Sequence, residues 1–272
     1  MVSPVKSIVY SSLLAVFLVA CTSKKEKLSK EIYDLETSDS SSTSKGMNDL
    51  ADMYYDYAKN FTKDSIAEKY LFKGFMFKYI TSHWDDAIKF ANFYKSTYPV
   101  SENYHSINLK LADVYYRGKN NLDSAVHYYL ISDGKAQFST DEKRTAASIL
   151  GKWAKEKPQS EKSATVLYTS AKLYQTANDF SEAVRLYLEV ANTYPDFVKS
   201  PDALMAAGFI YWDNLKEPEK AKACYKQLVE KYPTNPLAKE AQTLLSENIL
   251  TMSDLELSEY LMKKNKEKQA TQ

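Results

Sequence analysis

A chain of 272 residues with only 6 glycines and 8 prolines, 26% of it charged, is poor in the turn formers a strand-rich fold needs and long enough to bury a sizeable core. Its 36 basic and 35 acidic residues nearly cancel, which argues against an electrostatic grip on nucleic acid or anionic lipid. Bulk instead comes from aromatics, 22 tyrosines among them, the kind of filling that helix interfaces use.

At the N-terminus, Lys6 precedes an apolar stretch from Ile8 to Ala20, long enough for a signal-peptide core and short for a bilayer span. Leu18-Val19-Ala20-Cys21 resembles the bacterial lipobox, whose cysteine sulfur is joined to a diacylglycerol. The resemblance implies a signal peptide over 1–20, acylation of Cys21 and a formally neutral mature chain, because the removed segment holds Lys6 and no acidic residue. Attachment then rests on acyl chains at about 0.8 kcal/mol per buried methylene. Thr22 stands where retained lipoproteins carry aspartate, so the expected address is the periplasmic face of the outer membrane.

Residues 21–46 shift to Ser and Thr between Thr37 and Ser44, which predicts a disordered tether that lets the domain behind it stand away from the membrane. A first helix is expected over 47–61, with Met47, Leu50, Tyr54, Tyr57 or Ala58 and Phe61 on one stripe.

A spaced pattern then recurs: a small residue, an aromatic three on, Ala, an aromatic and Tyr-Pro. Its clearest copies are Ala171, Tyr174, Ala183, Tyr187 and Pro195, then Gly208, Tyr211, Ala221, Tyr225 and Pro233. Alanines that would sit at helix crossings, Ala87, Ala125, Ala183 and Ala221, are separated by 38, 58 and 38 residues, so one extra helix of about 20 residues lies in the middle. Ala146, Ile149, Leu150 and Trp153 give that helix one apolar face, and Lys157-Pro158 closes it. Tyr98-Pro99, Tyr194-Pro195 and Tyr232-Pro233 mark helix ends, whereas the second copy runs to Gln137 without a proline.

These residues resemble the tetratricopeptide repeat family over roughly 65–248. The third copy keeps the family's offsets; in the others, Gly74 to Ala87, Ala112 to Ala125 and Gly208 to Ala221, the two positions stand 13 apart rather than 12, which predicts one inserted residue in the helix-turn-helix corner. The resemblance implies an all-α, right-handed superhelical solenoid of antiparallel helix pairs over 47–248, about four repeats plus the inserted helix. Pro236 to Ser246 would cap it, and 249–272 would add a helix opened by a Ser253/Glu256 capping box and a charged tail. Close packing between helices falls to Gly74, Ala87, Ala112, Ala125, Ala171, Ala183, Gly208 and Ala221.

The family analogy also places partner binding on the face of each first helix. The groove would be lined by Phe75 and Lys78, Tyr116 and Arg117, Tyr168 and Lys172, and Phe209 and Trp212, aromatics beside cations that suit a peptide. Catalytic chemistry is thin. His83, His105 and His127 have no second ligand type at helical spacing, Cys224 reads as a packed thiol, and Ser42-Thr43-Ser44-Lys45 falls in the expected tether. Asp85-Asp86 reads as the first turn of a helix. The expectation is a non-enzymatic lipoprotein scaffold with no cofactor and no metal, holding envelope proteins. It resembles the outer-membrane repeat lipoproteins of barrel assembly and the coordinators of the Tol-Pal system. Repeat lipoproteins that capture glycans for import are the alternative, although they carry a large non-repeat region that a domain of this size lacks.

Overall fold

The structure, a computed structural model, describes residues 24–270, so the expected signal peptide, lipobox and Cys21 lie outside the described residues. Those residues form helices and no strand, and none of the helices is long and apolar enough to cross a membrane. Where the repeat spacing predicts one domain over 47–248, the chain divides into two compact units, Met1–Ala136 and Gln137–Gln272.

The first unit opens with α1 over 24–36. A 3-10 turn, Asp39–Ser42, leads to α2 (Ser44–Asn60), followed by α3 (Ala67–Ile80), α4 (Trp84–Thr97), α5 (Tyr104–Asp113) and α6 (Leu122–Ser132). Each helix lies against its chain neighbour, and the core between them is largely aromatic, with Tyr54, Tyr57, Phe75, Phe90 and Tyr94 almost wholly buried.

Helix α1 overturns the expected disordered tether. Ile32 is fully buried, with Leu28 and Leu35 against the same core, a stripe at three- and four-residue steps that the serine-rich run after it masks. Both ends of α1 are fastened: Lys24 Nζ donates to Asn60 Oδ1 at 3.0 Å, Lys25 pairs with Asp64, and Glu36 accepts from the Tyr54 hydroxyl and, at 2.9 Å, from Lys73. The Ser/Thr run serves local capping, with Thr43 Oγ1 accepting from the Gly46 N–H at 3.0 Å to start α2.

The second unit holds α7 (Thr140–Glu156), α8 (Ser163–Thr176), α9 (Phe180–Thr193), α10 (Ser200–Phe209), α11 (Pro218–Lys231), α12 (Pro236–Ser246) and α13 (Asp254–Ala270). Helix α7 is the predicted extra helix. It opens on a Ser139/Glu142 capping box and buries Ala146, Ile149, Leu150 and Trp153. Ser253 and Glu256 cap α13 reciprocally.

Tyr-Pro does more than stop helices. Each tyrosine caps its helix and sends its hydroxyl to a loop carbonyl one repeat back: Tyr98 to Thr62 at 3.2 Å, Tyr194 to Pro158 at 3.0 Å and Tyr232 to Pro195 at 2.8 Å. Pro158 after α7 is therefore used as Pro195 after α9 is. Ser163 Oγ bonds the Lys157 carbonyl as Ser200 Oγ bonds that of Tyr194, which makes α7 the second half of a repeat.

The inserted residue sits upstream of where the spacing predicts. Ser82, Asn120, Asn178 and Lys216 all have positive φ (60°, 46°, 62° and 56°), and each stands 5 residues before the crossing alanine of its copy. The second helix of every copy thus starts in one frame, and the extra residue is absorbed before the left-handed one. In the second and fourth copies it forms a π turn, Val114–Gly118 after α5 and Ile210–Asn214 after α10, closed by Lys119 N–H to Val114 O at 3.2 Å and Leu215 N–H to Ile210 O at 2.9 Å.

Candidate partner-binding surface

The eight small residues assigned to close packing are all buried. A Cβ on Gly74 would stand 3.1 Å from both the Ala51 carbonyl and the Phe90 ring, and one on Gly208 would stand 2.4 Å from the ring of Tyr225.

The expected groove does not hold together as a set. Phe75 is fully buried on α3, so it builds core and is removed from the surface. Lys78 is also buried, its ammonium 2.8 Å from Asp52 and 3.8 Å from Asp86, an internal ion pair in place of a free cation. Lys78 is closed in by Asp52 of α2 on one side and Asp86 of α4 on the other, where the family frame leaves this face open, and Phe75 joins the aromatic core of the unit. Tyr116 is half-buried. Arg117 is exposed but committed, its Nε 2.6 Å from Asp113 Oδ1 and its Nη2 3.3 Å from the Tyr79 hydroxyl. Burial, reinforced by the bond to Asp113, pushes the Tyr79 hydroxyl up to about 12, so it stays a donor.

In the second unit the assigned residues keep a surface. Tyr168 and Lys172 lie one turn apart on α8, both half-buried, Tyr168 edge-on to Tyr187 and Phe197. Phe209 follows Gly208 as Lys172 follows Ala171, so the repeats set both on the same side of their first helices. Phe209 is 45% exposed, and its ring meets Trp212 edge to face at 6.2 Å. Trp212 is half-buried against the core of the unit, so Phe209 is the open member of this aromatic pair at the π turn.

Sequence reasoning missed the flank of α9. A cavity of about 510 Å³ is lined by Val184, Arg185, Leu188 and Glu189 of α9 with Tyr211 and Lys220, and another of about 410 Å³ by Lys152, Lys155, Tyr174 and Arg185. Arg185 stands in both, held by Glu182 and Glu189 at 2.9 Å each. The signal was there: Tyr174 and Tyr211 are the repeat aromatics, and Lys220 lies 5.3 Å over the Tyr211 ring.

Among the described residues no three His, Cys, Asp or Glu side chains gather to hold a metal. Cys224 is buried, and burial pushes its thiol up to about 11, so it is protonated at neutral pH. His83 Nδ1 engages Thr81 at the start of α4, where Asp85 pairs with Lys119, and His127 packs edge-on to Tyr128.

Stacked helix pairs joined by tight corners define a helical-repeat protein. More particularly, the tetratricopeptide repeat model matches residues 165–196 and 202–235, which are the helix pairs α8–α9 and α10–α11. No curated protein matches the sequence. Among solved structures it is similar to YrrB, a TPR protein with an unusual peptide-binding site, at 14% identity and a TM-score of 0.31 over 71% of this chain and 100% of that one. It is also similar to BtubC (BKLC) from P. vanneervenii, at 13% identity and a TM-score of 0.30 over 71% of this chain and 75% of that one.

Proposed function

We propose that the protein is a non-enzymatic scaffold of the bacterial cell envelope, anchored to the outer membrane through lipidated Cys21 and holding an envelope protein on its second unit. The observation that carries the scaffold reading is the pair of matched repeats at 165–196 and 202–235, whose first helices present Tyr168, Lys172, Phe209 and Trp212. An aromatic pair gives contact area at small entropic cost. The lipobox-like Leu18-Val19-Ala20-Cys21 supports the anchor, and Thr22 supports the outer membrane.

A photo-crosslinking residue at position 209, used in the producing cell, should attach one specific protein, and Trp212→Ala or Lys172→Glu should weaken that capture at least several-fold with unchanged helicity. Loss of helicity to the same extent would assign those residues to packing. Absence of any specific adduct would overturn the binding surface. For the anchor, a fatty acid supplied to growing cells should label the wild-type chain and leave Cys21→Ser unlabelled and in the soluble fraction.

A further inference from the structure

We infer that the first unit lies directly against the bilayer, with the end that carries the start of α1, the α2–α3 loop and the α4–α5 loop facing the lipid headgroups; the inference rests on acylation of Cys21. Two residues, Thr22 and Ser23, lie between Cys21 and Lys24, and the three steps from one to the other span at most about 11 Å. From Lys24 onward the chain is fastened to the unit. Lys24 bonds Asn60 at the end of α2, Lys25 pairs with Asp64 in the α2–α3 loop, and Ile32 is locked in the core. A 26-residue tether that could hold the unit away from the membrane therefore does not exist, because most of its length is α1 and the cap of α2.

The surface at that end suits the place. The α4–α5 loop joins it through the Tyr98 hydroxyl on the Thr62 carbonyl, and that loop carries Val100, 97% exposed beside Pro99. Lys59 ends α2 and Lys63 stands on the loop, both exposed, with stems long enough to reach phosphates while Val100 meets the interface. The charges are modest in number, so the acyl chains hold the protein on the membrane and this rim sets its orientation. The far end of the unit, at the Ser82 corner, lies one α3 helix away, about 20 Å.

The test uses the full lipidated chain in vesicles of phosphatidylethanolamine and phosphatidylglycerol carrying a headgroup-attached quencher. A fluorophore is placed in turn at Lys63→Cys, Val100→Cys and Ser82→Cys. Quenching several-fold stronger at 63 and 100 than at 82 is expected. Equal quenching at the three sites, or stronger quenching at 82, on protein that floats with the vesicles overturns the inference and leaves the anchor intact. Failure to float, together with no fatty acid on Cys21, defeats the anchoring reading and the inference with it. Ile32→Asp, which should release α1 from the core, is expected to level the three signals while the protein still floats; an unchanged pattern would show that α1 does not set the orientation.

Discussion

At the scale of single residues, Gly208 leaves no room for a side chain. Alanine is the better helix former by about 1 kcal/mol, yet its methyl would meet the buried Tyr225 ring, so Gly208→Ala should destabilise by about 1–3 kcal/mol in urea unfolding. Lys216 behaves oppositely. Its left-handed backbone at φ 56° costs a side-chain-bearing residue about 1 kcal/mol, and Lys216→Gly should recover up to that amount by the same measurement. Lys78 is a buried charge. Asp52 and Asp86 remain 65% and 44% exposed and can be hydrated when it is removed, so Lys78→Met should cost about 1–2 kcal/mol, below the 3–5 kcal/mol of a pair whose orphaned partner stays buried. The small residues at the crossings were legible from spacing; the pairing of Lys78 with Asp52 and Asp86 was not, because a repeat offset places helices without saying which side chains meet between them.

At the scale of elements, α1 is held by carboxylates and should loosen in acid. Burial works to raise the Glu36 carboxyl, but the bonds from Tyr54 and Lys73 outweigh it and hold the group below its ordinary value; Asp64 is lowered by Lys25 and by the Ile66 N–H. A carboxyl lowered in the folded state stabilises above its unfolded pKa, and that contribution is lost as pH falls through the folded value. Hydrogen exchange over 24–36 should therefore be protected at neutral pH and accelerate below about pH 4, less steeply in Glu36→Gln. Tyr-Pro was read from sequence as a stop alone, since a hydroxyl bond to a loop 36 or 37 residues back leaves no local trace. The stripe of α1 was present in Leu28, Ile32 and Leu35 but was overruled by the serines that follow.

At the scale of the whole molecule, the connection between the units is the place to cut. Gly134 and Lys135 are exposed, Gly134 takes φ 69°, and trypsin should cleave early after Lys135 to give two lasting fragments resolved by mass spectrometry. The helical class and the extra helix were legible because 3.6-residue patterns and a 20-residue excess survive in one sequence; the division at Ala136 was not, because the second copy merely lacks its proline there. The corners hold a last consequence. Since the left-handed residue of each of the four corners keeps its distance of 5 to the alanine, an added residue is taken up at the tail of the first helix, as at Val114–Gly118 and Ile210–Asn214. Length can thus drift over generations where Phe209 and Trp212 lie, while the stacking of the second helices stays in register. A single-codon insertion there would displace the Phe209 ring and leave the stack of second helices unbroken.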